Sequence, residues 1–276
     1  MNPSIGEIAR ASGAEKVAVA WHDEATGEAG SYHGDWWFHA ASTIKVPILV
    51  ATFSAVAARR FPLDGPVAVR NRFHSVVDGS PYRIERARDS DKVVHDAVGR
   101  TLPVEQLAEH MIVTSSNLAT NLLVDLIGLE EARADFARLG VAGVQLERGV
   151  EDELAWQVGI NNRVTAHGLV ELFRLIHGGR AISSDASRRM LAILHRQQFR
   201  AGIPAGLPPR VRSLARVAHK TGEISTIAHD AGLVYLPRRK PYALAILTQW
   251  QAQAGERSAL IAALSRAVYE HVAGGR

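Results

Sequence analysis

The stretch ASTIKVPILV, residues 41–50, starts small and polar and turns apolar within four residues. Ser42 and Lys45 stand three apart, so a helix here carries both on one face. The run continues to Phe61 with enough apolar residues for a buried helix. Lys45 is one of only five lysines in a chain that otherwise uses arginine for positive charge. Close to a helix N-terminus, free N–H groups and the helix dipole favour negative charge growing on a serine oxygen. A protonated lysine cannot activate that serine. A buried, neutral one can accept its proton. An N-capping serine beside a snorkelling lysine gives the same pattern, and about 0.3 S-x-x-K matches arise by chance at this composition. The motif needs company.

The rest of the chain bounds the possibilities. Its 276 residues suffice for one large domain or two intertwined ones. A hydrophobic content of 47% with 22% charged residues is that of a globular protein. The net charge of +4 comes from arginines scattered without a dense block, which argues against a nucleic-acid surface. The absence of cysteine excludes disulfides, cysteine-ligated zinc and a thiol nucleophile. The histidines show no metal-ligand spacing, so no metal or other cofactor is expected. No apolar run is long enough to span a membrane. The N-terminal MNPSIGEIARASGAEKV lacks a signal-peptide pattern, which fits a cytoplasmic protein or a trimmed mature form that is periplasmic or secreted.

Periodicity places the elements. PSIGEIARAS reads as a short helix, and EKVAVAWHD and AGSYHGD, around EATGE, as a β-hairpin. After the helix that follows Ser42, residues 60–102 read as irregular, with Pro62, Pro66 and Pro81. PVEQLAEHMIV, SNLATNLLVDLIG and LEEARADFARLG are helical, the last two stopping at glycines. Residues 140–164 read as loop. TAHGLVELFRLIHGG and SDASRRMLAILHRQ add two helices. ARVAHKTGEI, HDAGLVYLP and YALAILTQW read as strands, and RSALIAALSRAVYEHV as a closing amphipathic helix. Strands flank a helical middle, which predicts one sheet built from both ends of the chain with a helical insertion.

Two further motifs accompany the first. VTSSNLATN (113–121) puts Ser115 and Asn117 at a helix junction, where they could relay a proton and bind a substrate amide, or merely cap helices. HKTGE (219–223) puts Lys220 and Thr221 on a strand; a K-T-G match has a chance expectation of about 0.02. The ordered set S-x-x-K, S-x-N, K-T-G is that of serine β-lactamases and penicillin-binding proteins. Over nearly its whole length the sequence resembles the class A β-lactamases.

That resemblance implies an α+β fold: a five-stranded antiparallel sheet flanked by helices (residues 1–41 and 205–276) plus an all-helical domain (42–204), with the site between them. It implies Ser42 as acylated nucleophile, Lys45 as its proton partner and Ser115 as relay to the leaving nitrogen. Lys220 and Thr221 would line the far wall, where the lysine could hold Ser115 electrostatically. Asn117, Thr221, Gly222 and Glu223 belong to the substrate side. The N–H groups of Ser42 and Glu223 form the oxyanion hole. In ERGVEDELAWQVGINN (147–162), Glu151 is the candidate deacylating base, with Asp152 and Glu153 as competitors, and Asn121 matches the asparagine that supports it.

Three departures stand out. Ser116 occupies the place of the family's usual aspartate. Ala155 replaces an asparagine that holds the deacylating water, with Asn161 or Asn162 as possible substitutes. Glu223 puts a negative charge where a β-lactam carboxylate should sit, unless it turns away or pairs with a cation; Arg257 and His229 are the candidate carboxylate-binding cations. The implied activity is that of a serine hydrolase opening a β-lactam through a Ser42 acyl-enzyme, in an expected monomer acting on a small-molecule β-lactam or acyl-D-Ala-like substrate. Alternatives are a D-Ala-D-Ala peptidase, amidase or esterase, or a penicillin-binding module acylated without turnover.

Overall fold

The computed structural model describes residues 4–252 and 256–274. The first helix, α1 (Ile5–Ala11), opens on a capping box: Ser4 accepts from the Glu7 backbone, and Glu7 reaches back to the Ser4 N–H at 2.7 Å. The hairpin follows as β1 (Lys16–Asp23) and β2 (Ala29–Tyr32), its turn held by the Asp23 carboxylate, which accepts from Ala25 N–H and Thr26 Oγ1. A 3-10 turn over Ala41–Ile44 leads straight into α2 (Lys45–Ala57). Every residue of α2 from Lys45 to Phe53 is buried, so the first nine residues of this helix form a core element with no outer face.

Around α2 pack α3 (Val104–Val113), α4 (Asn117–Ile127) and α5 (Leu129–Arg138). Gly128, at φ 87°, makes the reversal between α4 and α5 in a conformation that other residues rarely adopt. Next come α6 (Ala166–His177) and α7 (Ser184–Leu194), capped by Thr165 and Ser183. The chain then returns to strands: β3 (Arg216–Ile224), β4 (Ile227–Tyr235) and β5 (Tyr242–Gln249), before α8 (Ser258–Gly274).

The five strands form one antiparallel sheet in the order β3-β4-β5-β1-β2. Pairing of β1 with β5, from Lys16↔Gln249 to Asp23↔Tyr242, joins the two ends of the chain as the sequence led us to expect. Alternation along β5 divides the apolar residues. Ala243, Ala245 and Leu247 join the core shared with the helical middle, while Tyr242, Leu244 and Ile246 pack under α1 and α8.

Two stretches are less irregular than expected. Residues 60–102 hold short strand pairs, Pro66–Ala68 with Thr101–Pro103 and Phe73–His74 with Pro81–Tyr82. Within 140–164, Glu153–Gln157 makes a single helical turn, and Arg163–Val164 pairs with Val144–Gln145 on one side and Phe38–His39 on the other. Segments of two to five residues are too short to show a period, so only their tertiary partners reveal them.

Candidate active site

Ser42 lies in the 3-10 turn, half-buried, and Lys45 is the first residue of α2 and wholly buried. Lys45 Nζ donates to Ser115 O at 2.7 Å, to Asn117 Oδ1 at 2.7 Å and lies 3.1 Å from Ser115 Oγ. Burial pushes this amine down to about 7, against the opposing pull of the Asp89 and Glu151 carboxylates. A lysine that exchanges its proton near neutrality is suited to accept one from Ser42. Asn117 has a second partner: its Nδ2 donates to Glu151 Oε1 at 2.6 Å. One amide therefore touches both the amine and the carboxylate. Burial raises the Glu151 carboxyl above its ordinary range, with the Asn117 bond opposing. Ala41, Ser115 and Glu151 all have positive φ, at 44°, 62° and 58°. Non-glycine residues held in this region gather where surrounding structure over-determines the backbone.

The opposite wall is β3, an edge strand. A Cβ added to Gly222 would lie 3.1 Å from Ser42 N and 3.0 Å from Thr43 N, so strand and turn are in close backbone contact. The β3–β4 hairpin closes on Ile224↔Ile227 through two residues. In such a ladder the next pair inward, Glu223↔Ala228, is not hydrogen-bonded across the hairpin, so the Glu223 N–H points off the free edge beside that contact. Lys220 is wholly buried. Burial and the Lys45 charge drive its ammonium well below the ordinary lysine range, with Asp230 opposing, and Nζ donates to Thr221 O at 2.8 Å. Behind the strand, Asp230 pairs with His219 at 2.8 Å and accepts from Ile203 N–H.

Glu223 does pair with a cation. Arg257 Nη2 donates to Glu223 Oε1 at 2.8 Å, and Nη1 donates to the carbonyls of Ile224 and Ser225. The arginine grips the hairpin turn while the glutamate side chain remains largely exposed. His229 is occupied differently. It is buried, its ring lies 3.0 Å from His39 O and accepts from Thr248 N–H, and burial holds it down to about 4. A neutral buried imidazole is not a carboxylate-binding cation.

Within 147–162 the three acids have different surroundings. Glu151 faces Asn117. Asp152 is buried, caps the turn 153–157 and accepts from Val76 N–H at 3.0 Å; Glu153 is exposed. Asn121 is buried, with Oδ1 accepting from Val150 N–H and Nδ2 donating to Val150 O. It clamps the backbone beside Glu151 rather than the carboxylate. Asn162 accepts from the N–H groups of Glu147 and Arg148, and Asn161 accepts from the Arg148 guanidinium. Both asparagines staple the loop. Ala155 is buried. Among the described residues, no group of three His, Asp or Glu is placed to hold a metal ion.

A model of the Beta-lactamase enzyme family matches residues 3–272. The chain belongs to that family. Among its relatives is the β-lactamase CARB-4 of Pseudomonas aeruginosa, 21% identical over 269 residues, 96% of this chain and 88% of that one. A β-lactamase from Sphaerobacter thermophilus superposes with TM-score 0.82 at 25% identity, covering 99% and 98% of the two chains. PBP-A gives 0.82 at 26% identity, covering 99% and 100%. A PBP-A variant solved as an acyl-enzyme with penicillin G gives 0.80 at 26%, covering 98% and 95%.

One residue at this site, Asp89, lies in the segment 73–101, to which sequence reading assigned no role. Its Oδ2 accepts from Asn117 N–H at 3.0 Å and Leu118 N–H at 2.9 Å, and lies 3.3 Å from Ser116 Oγ. The only sequence hint is a pair of acids in RDSD, within a stretch that has no regular period.

Proposed function

We propose that this family member is a serine β-lactamase in which Ser42 forms the acyl-enzyme and Glu151 drives its hydrolysis. Neutral Lys45 takes the Ser42 hydroxyl proton as Oγ attacks the lactam carbonyl. The N–H groups of Ser42 and Glu223 receive the oxyanion, each worth about 3 kcal/mol in the transition state. The C–N bond breaks as Ser115, bonded to Lys45, passes the proton to the leaving nitrogen. Glu151 then takes a proton from water, whose oxygen attacks the ester. Ser42 leaves with a proton, and the ring-opened acid is released. Thr221 lies on β3, the strand that would receive the substrate carboxylate, and the buried Lys220 amine holds the Thr221 carbonyl.

The observation that carries this reading is the Asn117 bridge, with Lys45 at 2.7 Å on one side of its amide and Glu151 at 2.6 Å on the other. A site that only acylates has no use for a carboxylate held against the acylation machinery. The test is intact-mass analysis during turnover of a chromogenic β-lactam. Glu151→Gln is expected to acylate rapidly and accumulate the adduct, whereas Glu153→Gln turns over like wild type. Equal turnover by Glu151→Gln removes it as the base.

A penicillin-binding module that holds its acyl group is the second reading. Ala155 and the two engaged asparagines favour it, because no asparagine side chain of the loop is free to hold water beside Glu151. The acylated PBP-A variant gives it a structural parallel. A wild-type protein that stays stoichiometrically acylated would establish it. Cleavage of acyl-D-Ala peptides or esters with no β-lactam turnover would instead favour the peptidase, amidase or esterase alternatives.

A further inference from the structure

The S-x-N loop has no aspartate of its own, yet it is gripped by two from elsewhere. Asp89 is fully buried and binds the start of α4 through Asn117 N–H, Leu118 N–H and Ser116 Oγ, with His95 Nε2 at 3.2 Å as a fourth neighbour. Two residues on, Asp91 binds the end of α3: its Oδ2 takes Thr114 Oγ1 and lies 2.6 Å from His110 Nδ1. Asp91 N–H donates to Asp89 Oδ1, closing the pair into one unit. Ser115, with φ 62°, lies between the two grips, facing Lys45. Each Asp89 bond to a free helix N-terminal N–H is charge-assisted, in a place where water cannot substitute.

Resting on the β-lactamase reading, we propose that Asp89 is a positioning residue for Ser115 and Asn117, and that it performs from a neighbouring loop the task an aspartate at position 116 would perform from within the motif. Ser116 Oγ and Asp89 Oδ2 are in contact, so the two positions exchange a carboxylate and a hydroxyl across one point. An aspartate at 116, the N-cap of α4, would reach the same first turn of N–H groups. The carboxylate also acts at a distance. Its charge favours the ammonium form of Lys45 and the neutral form of Glu151. The other charges facing these groups are Lys220 and Glu151 for Lys45, and Arg88 and Lys45 for Glu151. None of them changes in the exchange.

The experiment compares wild type, Asp89→Ser, Ser116→Asp and the double exchange. Acylation by penicillin G is followed by mass, and Lys45 titration is followed by NMR of ε-carbon-labelled lysine without substrate. Asp89→Ser is expected to slow acylation roughly 10- to 100-fold and to move the Lys45 titration to lower pH. The double exchange should restore both, the rate to within about threefold, the margin of ordinary non-additivity. Asp89→Ser acylating like wild type overturns the proposal, as does a double exchange no better than Asp89→Ser. Where Asp89→Ser alone does not fold, a folded, acylating double exchange supports the proposal and an unfolded or inert one overturns it. Wild type that never acylates defeats the β-lactamase reading instead, and the Lys45 titration still decides the role of Asp89.

Discussion

At the scale of single residues, the site depends on amines and acids removed from water. Lys45 exchanges its proton at about 7, so its neutral form dominates only above that pH. Acylation by wild type is expected to rise with pH through an acid limb near neutrality, measured as the pre-steady-state acylation rate. Lys45→Ala should lose orders of magnitude in that rate while keeping its fold, because the proton acceptor is gone. Near-normal acylation in a folded Lys45→Ala protein would end the proposed role. Glu223 makes a smaller contribution. It is largely exposed, and its pairing with Arg257 is worth no more than about 1 kcal/mol through solvent screening. Replacing it with serine frees the guanidinium and removes a repulsive charge. Glu223→Ser should therefore bind carboxylate-bearing β-lactams up to about fivefold more tightly and leave a neutral ester unaffected, as competition binding would show.

At the scale of elements, two contacts set the geometry: strand β3 against the 3-10 turn, and the 89–91 segment against the α3–α4 junction. In Gly222→Ala the new methyl would press on backbone nitrogens of Ser42 and Thr43, which cannot rotate away. We expect acylation to fall about tenfold or more with little change in melting temperature; an unchanged rate would show that the strand can shift without loss. The second contact has a pH signature. Hydrogen bonding to Asp91 raises His110, so its contribution to stability is complete below the ordinary histidine value of 6.5 and is lost as pH rises through the raised one. Bonds from His110 and Thr114 outweigh burial and hold Asp91 down to about 2, so its contribution is present above the ordinary value of 3.8 and is lost as pH falls through about 2. Thermal melts should show the pair contributing most at about pH 5–6, and Asp91→Asn should remove the stability change on both sides. A melting profile with the same pH dependence in Asp91→Asn would refute this account.

Across the whole molecule, one sheet carries two cores, one against the helical middle and one beneath α1 and α8. Phe173 on α6 is fully buried in the first. Phe173→Ala should cost about 3–5 kcal/mol of stability, read from denaturant unfolding, while acylation per folded molecule stays near wild type. A fall in acylation that matched the fall in stability would mean that core packing tunes the site directly.

Periodicity and turn chemistry were enough to find α1, the β1–β2 hairpin, the long helices and the last three strands, because each carries its own pattern over a turn or more. Three short motifs in a set order, improbable together, singled out Ser42, Lys45, Ser115, Asn117 and Lys220, and the fold brings Lys45 against Ser115 and Asn117. What no local pattern encodes is which side chains meet. Resemblance favoured Glu151 with Asp152 and Glu153 as competitors, and only the fold turns Glu151 to Asn117 and makes Asp152 a cap. Asn161 and Asn162 read as substitute water ligands, but the Arg148 guanidinium claims the first and the loop's own backbone groups the second. Glu223 had two possible fates, and the return of the chain after β5 brings Arg257 to it. Asp89 carries no signal beyond the paired acids of RDSD, because the N–H groups it binds lie about 28 residues away and its carboxylate acquires meaning only when a helix N-terminus arrives beside it. Secondary structure follows from neighbours in the chain. The protonation and orientation of catalytic groups follow from burial and from charges brought close through space, and those exist only once the chain has closed.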